Sequence, residues 1–201
     1  MSLAEPAWWY DDDAGLIASL LSPAGWLYGE VTARRMQRRD GYRSRLPVIC
    51  VGNFTVGGTG KTPFSLYLCE RVREAGLQPI VLTRGYKGRT TAPHWVDTAT
   101  DTAMLVGDEP MLLARAAATL VCRDRQLGAR EIEKGKSRPS VIIMDDGLQN
   151  PALIKDLSLA VVDGARGFGN ERVFPAGPLR APLATQMAQA DAVVVNLGSD
   201  D

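Results

Sequence analysis

Histidine is almost missing from this chain of 201 residues: His94, beside Trp95 in a short extended stretch, is the only one, and it is assigned no role. Cysteine is scarce as well. Cys50, Cys69 and Cys122 are far apart and odd in number, which argues against a disulfide framework and for buried free thiols in a reducing cytosol. Between them these two shortages leave no Cys/His cluster for metal delivery. Neither sign of charge predominates, since 23 Lys and Arg balance 23 Asp and Glu, so the chain lacks the cationic footprint of a nucleic-acid binder. No apolar run approaches the roughly 20 residues of a membrane-spanning helix. The acidic, aromatic N-terminus is unlike a cleavable signal peptide. Internal repeats and low-complexity tracts are absent, and no protein partner is indicated.

Hydrophobic residues make up 45% of the chain, enough for a sizeable core, and 23% are charged. The length suits one α/β domain, expected over 46–201, with an appendage at 1–45. Near-continuous apolar runs at 48–51, 79–82, 120–122, 141–144, 159–162 and 192–195 read as strands buried on both faces of a parallel sheet. Helical patterns at 64–75, 110–117, 126–134 and 183–189 lie between several of them, with Gly76 placed to stop the first. This alternation implies a doubly wound, mostly parallel α/β sheet with ligands at the strand C-terminal ends.

The first apolar run leads into Thr55-Val56-Gly57-Gly58-Thr59-Gly60-Lys61-Thr62, and a helical pattern follows. Strand, glycine loop, Gly-Lys-Thr and helix form the context of a phosphate-binding P-loop, and the expected fold is the P-loop NTPase type. Glycines let backbone N–H groups converge on phosphate oxygens, and the helix N-terminus adds positive field. Lys61 is placed to reach the β- and γ-phosphates and the Thr62 hydroxyl to join the shell of Mg²⁺. Strict spacing would put glycine where Thr55 stands. A ligand-free glycine turn is the competing reading, and the flanks favour nucleotide.

A second apolar strand ends in Asp145-Asp146-Gly147. In a P-loop sheet such a strand brings an aspartate opposite the Thr62 hydroxyl, where it holds Mg²⁺ directly or through water. Spacing leaves open which of the two touches the metal. In Gly107-Asp108-Glu109-Pro110, Pro110 is expected as the first residue of a helix and Asp108 as its N-cap. A phosphotransferase also needs a carboxylate to accept the proton of the attacking hydroxyl, and Asp108 and Glu109 are the candidates. The glycine-rich loop 163–172 fails as a dinucleotide fingerprint, because Arg172 stands where a third glycine belongs. Its Arg166 and Arg172, with Arg180 and Arg84, suit the gripping of anionic substrate groups.

Residues 1–45 read differently. Trp8, Trp9 and Tyr10 precede Asp11, Asp12 and Asp13, an acidic triplet able to cap a helix. Leu16, Ile17, Leu20 and Leu21 follow at helical spacing, Ser22-Pro23 interrupts, and a second helix runs from Trp26 to about Gln37. It enters a cluster of Arg34, Arg35, Arg38, Arg39, Arg43 and Arg45. An amphipathic helix on an anionic membrane surface and a helix packed on the core both fit this pattern.

The stretch 51–63 closely resembles the P-loop of the tetraacyldisaccharide 4′-kinases of lipid A biosynthesis, Thr55 included. So do Thr83-Arg84-Gly85-Tyr86, Gly107-Asp108-Glu109-Pro110, Asp145-Asp146-Gly147-Leu148-Gln149, the loop 163–170 and Pro175-Ala176-Gly177-Pro178-Leu179-Arg180, in that order along the chain. The resemblance implies an ATP- and Mg²⁺-dependent kinase on the cytoplasmic face of the bacterial inner membrane, phosphorylating the 4′-hydroxyl of a lipid A disaccharide 1-phosphate precursor. It implies that 55–62 bind nucleotide, that Thr62, Asp145 and Asp146 bind metal, and that Asp108, Lys61 and Arg180 are catalytic. It also lifts the membrane reading of 14–39 above the core one. The chain departs from the pattern at Asn150, where relatives often carry histidine, and at Ala181, where many carry glutamate. Members of that family are longer, with a second domain expected to supply a histidine partner for the catalytic aspartate.

Two alternatives have a different chemistry. A GTPase-type switch would place Asn-Lys-x-Asp after a late strand; here Asn196 is in place, but Leu197 and Ser199 replace the lysine and aspartate. The other is a P-loop module that binds nucleotide without transferring phosphate.

Overall fold

The computed structural model describes residues 5–10, 15–38, 40–135 and 139–198. Seven strands build one sheet: β1 (Val48–Gly52), β2 (Pro79–Thr83), β3 (His94–Trp95), β4 (Ala118–Val121), β5 (Val141–Asp145), β6 (Leu157–Asp163) and β7 (Ala192–Asn196). Their order is β3-β4-β2-β5-β1-β6-β7, all parallel except the short edge strand β3. The helices are α1 (Gly15–Met36), α2 (Lys61–Glu74), α3 (Ala103–Val106), α4 (Asp108–Ala116), α5 (Arg125–Lys134) and α6 (Leu183–Met187), with a 3₁₀ turn at Ala7–Trp9.

Successive side chains of a strand point to opposite faces, so a run without polar residues must be covered twice. β5 shows this directly. Ile142 and Met144 pack with Ile132 of α5 on one face, while Ile143 joins Cys69 of α2 and Leu113 of α4 on the other. The sheet is therefore doubly wound, as its apolar runs imply. Cys50, Cys69 and Cys122 are free and buried.

Two local expectations are corrected. Ser22-Pro23 does not divide the N-terminal segment: α1 is one helix of 22 residues with Pro23 inside it. An interior proline removes a backbone hydrogen bond and costs about 3 kcal/mol. Docking offsets that loss, since Gly25 lies against Val173 and Ala176 and Gly29 against Val173 and Pro182. Ala18, Ala33 and Met36 are buried with them. Small residues thus form the inward stripe, and Leu16, Leu20, Trp26 and Leu27 face outward. The acidic triplet Asp11 to Asp13, and Arg39 of the arginine cluster, lie outside the described residues.

The second correction concerns Asp108 and Pro110. Helix α4 starts at Asp108 itself, so Asp108 is not the N-cap and Pro110 is its third residue. Gly107 precedes it at φ 100°, where a side chain would strain and would meet the Tyr86 carbonyl at 2.6 Å.

Candidate active site

β1 delivers the loop 53–60 between β5 and β6, in the crevice at the strand C-terminal ends. The turn out of the strand needs Gly52, where a β-carbon would meet that of Leu148 at 2.5 Å. Within the loop the buried Asn53 donates to the carbonyl of Thr55 at 2.8 Å. Gly57 and Gly60 take φ 111° and 85°, and Gly60 leads into α2. Residues 178–180 brace the outer side: Val56 N–H donates to the Pro178 carbonyl and Arg180 N–H to that of Phe54. A polar chain supports it from below. Gln149 donates to the carbonyl of Asn53 and the side chain of Gln186, and the buried Gln186 donates to the carbonyls of Phe54 and Ala181.

Lys61, first residue of α2, points to the end of β5, its Nζ 3.8 Å from Asp146. Arg180 reaches the same carboxylate, with Nη1 at 3.0 and 3.2 Å, while its Nε donates to the Thr55 carbonyl at 2.9 Å. Asp146 sits at φ 51°, a left-handed conformation rare outside glycine. Burial favours its neutral form, but Arg180 and Lys61 outweigh burial and hold its carboxyl below the usual range. Lys61 itself is lowered, because burial outweighs the pull of Asp146.

Asp145 lies one residue earlier and is fully buried. Ser65 Oγ and Thr83 Oγ1 approach its two oxygens at 3.3 and 3.4 Å. Burial first, then the charges of Asp146 and Glu109, push its carboxyl up to about 6. A buried carboxylate whose side-chain partners among the described residues are two long hydroxyl contacts fits a divalent cation, which would stabilise its ionised form. Magnesium sites of this class need one or two carboxylates beside phosphate oxygens. The described residues contain no cluster of three or more His, Cys, Asp or Glu. Among the described residues the buried Thr59 hydroxyl also has no hydrogen-bond partner.

Next to these groups opens a cleft of about 410 Å³. Arg35, Arg84, Arg123, Arg125 and Arg180 line it with Asp146 as the sole acid, and Tyr28, Val31 and Thr32 of α1 form a wall. Sequence reasoning misses Arg125 along with Arg123; Arg125 is the more deeply placed. It is 2% exposed, and its guanidinium donates to the carbonyls of Cys122 at 2.9 Å and Asp145 at 2.8 Å. Its position at the start of an amphipathic helix gave no sign of that reach.

The other expected residues divide. Glu109 acts electrostatically on both Lys61 and Asp145, while Asp108 is exposed at the head of α4. Thr62 is the second residue of α2, and it is Ser65, not Thr62, that contacts Asp145. Of the loop arginines only Arg180 and Arg84 reach the cleft. Arg166 is paired with Glu5, and Arg172 donates to Ser22 of α1. His94 binds Asp101 at 2.7 Å on the edge strand, away from the cleft.

A glycine loop between the central strands, a lysine opening the next helix and an aspartate pair ending the adjacent strand define a P-loop NTPase-type α/β protein. Within that class the chain belongs to the tetraacyldisaccharide-1-P 4′-kinase (LpxK) family, whose model matches residues 17–201. It is 54% identical over 190 residues to the tetraacyldisaccharide 4′-kinase of Methylorubrum extorquens (strain PA1), covering 94% of this chain and 57% of that protein. To the tetraacyldisaccharide 4′-kinase of Rhodopseudomonas palustris (strain BisB5) it is 50% identical over 193 residues, 96% of this chain and 56% of the relative. A crystal structure of "apo" form LpxK from Aquifex aeolicus in complex with ATP superposes with a TM-score of 0.79 at 31% identity, over 90% of this chain and 59% of that one. The chain thus spans about 57% of the length of the curated relatives it matches. Membership of this family does not favour the GTPase-type switch.

Proposed function

We propose that the chain is an ATP- and Mg²⁺-dependent kinase that phosphorylates the 4′-hydroxyl of a tetraacyldisaccharide 1-phosphate in lipid A synthesis. The observation that carries this reading is the meeting of Lys61, Asp146 and Arg180 between the P-loop and an arginine-lined cleft. In this reading residues 55–62 cradle the phosphates, and Lys61 and Arg180 neutralise charge on the group being transferred. Asp145, Asp146 and Thr62 would hold magnesium, which when bound neutralises phosphate charge and orients the terminal group. Asp108, at the head of α4, takes the proton of the sugar hydroxyl. The arginines of the cleft grip the anionic head of the acceptor.

The same reading puts α1 on an anionic membrane surface at the cytoplasmic face of the inner membrane. No helix among the described residues is long and apolar enough to cross a membrane. Leu16, Leu20 and Trp26 of α1 are 83%, 79% and 71% exposed, while Tyr28, Val31, Thr32 and Arg35 of the same helix line the cleft. A lipid headgroup held by this helix would lie at the mouth of the arginine pocket. Residues 1–45 accordingly serve as the membrane-associating segment and 46–201 as the kinase domain.

The test is phosphate transfer from ATP to tetraacyldisaccharide 1-phosphate in mixed micelles, with nucleotide binding measured beside it. Transfer that falls by roughly 10²–10⁴ in Asp108→Asn at unchanged ATP affinity supports the assignment. Binding without any transfer would identify a nucleotide-binding module, and absence of binding would remove the P-loop reading.

A further inference from the structure

Asn196 closes β7, two strands away from the P-loop strand, yet its side chain returns to the loop. Its Nδ2 donates to the Thr59 carbonyl across 3.4 Å, and a β-carbon added at Gly60 would overlap the same carboxamide. Its Oδ1 accepts the Gly198 N–H at 3.2 Å, and its backbone carbonyl accepts the Gly164 N–H at 2.8 Å from the loop after β6. The side chain is therefore oriented at both ends. A carboxamide has two N–H donors and two lone pairs on its oxygen. One donor goes to Thr59 and one lone pair to Gly198, and among the described residues the others have no partner. The residue is exposed, so that free edge meets solvent.

The position of this edge follows from the asymmetry of the site. Everything suited to a terminal phosphate lies on the β5 side of the P-loop: Lys61, Asp146, Arg180 and the arginine cleft. A nucleotide with its phosphates in the loop must then carry its nucleoside toward the opposite side, over the ends of β6 and β7. There the surface changes character. Gly164 has no side chain, and Leu197 beside it is 82% exposed, an apolar surface against which a flat ring can lie.

We propose that Asn196 is the base-reading residue of the nucleotide site, its carboxamide pairing with the N6 and N7 edge of adenine while its second N–H holds the P-loop at Thr59. An asparagine matches that edge in a bidentate manner, donating to N7 and accepting from the 6-amino group. Guanine presents an acceptor at its 6-position, so the Oδ1 of Asn196 would face another oxygen. Pyrimidines lack the N7 edge altogether. The inference rests on the nucleotide reading given above and adds the identity of the base to it.

Calorimetric titrations of the chain in the presence of Mg²⁺ with ATP, 7-deaza-ATP, GTP and inorganic tripolyphosphate test it. The wild-type chain is expected to bind ATP about fivefold to tenfold more tightly than 7-deaza-ATP, the loss of one hydrogen bond, and GTP no better than 7-deaza-ATP. In Asn196→Ala the ATP and 7-deaza-ATP affinities should become equal. Any drop in tripolyphosphate affinity measures the tether to Thr59 alone, and it should be smaller than the drop for ATP. Equal affinities for ATP and 7-deaza-ATP in the wild type, or a preference that survives in Asn196→Ala, would overturn the assignment while leaving the P-loop reading intact. Failure of tripolyphosphate and ATP alike to bind would remove both.

Discussion

The Glu5 carboxylate lies directly against Gly57, the third residue of the P-loop stretch 55–62, so that a β-carbon at that glycine would overlap it. Tyr10 donates to it at 2.8 Å and Arg166 pairs with it at 3.0 Å. Burial and the hydrogen bond to Glu5 push the Tyr10 hydroxyl up to about 12. A carboxylate is thus held beside the loop proposed to collect phosphate.

Removing that charge should help an anionic ligand. Glu5→Gln keeps the shape, and a unit charge a few ångströms away in water is worth about 1 kcal/mol. ATP should bind about twofold to fivefold more tightly, with the gain shrinking as salt rises. Titrations at two ionic strengths check this, and a weaker complex would mean that Glu5 supports the loop instead.

Asp145 predicts a pH signature. Its folded-state value of about 6 lies above the ordinary 3.8, so folding favours its protonated form. Stability from this group is complete below about pH 4 and is lost as pH rises through about 6. Asp145→Asn should therefore raise the stability of the metal-free chain at pH 7.5 by on the order of 2–3 kcal/mol, an advantage that vanishes near pH 4. The same variant should lose the thermal stabilisation that Mg²⁺ with ATP gives the wild type. Melting curves across pH, with and without the metal and nucleotide, read both effects.

Arg125 gives a stability prediction of the opposite kind. Arg125→Met keeps the length of the side chain but leaves the buried carbonyls of Cys122 and Asp145 unpaired. A loss of about 2–4 kcal/mol follows, measured by urea unfolding. Unchanged stability would mean that the two carbonyls find other donors.

The two faces of α1 should respond differently. Leu20→Asp and Trp26→Glu change exposed positions, so melting should hardly move while sedimentation with anionic vesicles at low salt falls. Gly25→Leu sets a β-carbon 2.6 Å from the Val173 carbonyl and should cost about 1–3 kcal/mol. Equal vesicle binding by wild type and Trp26→Glu would refute the membrane role of this face.

How far these features are legible in sequence depends on how local their causes are. The P-loop and Asp145-Asp146 are readable because adjacent residues create them, and near-continuous apolar runs announce a sheet covered on both faces. Pro23 misleads because the partner that keeps α1 continuous is the segment 173–182, far away along the chain. Asp108 reads as a cap because only the positive φ of Gly107 reveals where α4 begins. Arg125, Gln186 and Glu5 carry no signal at all, since each meets its partners only after the sheet has formed.

The outer edge of the sheet has a practical bearing on work with this chain. Val193, Val195 and Leu197 follow one another at every second residue of β7 and beyond, and all three are exposed. No other strand among the described residues pairs with that side of β7. Apolar edges of this kind invite strand-to-strand stacking between copies in concentrated samples. Val195→Lys places a charge in the middle of the stripe, away from the Asn196 carboxamide's contact with Thr59, and is the substitution of choice for a chain that stays dispersed during crystallisation.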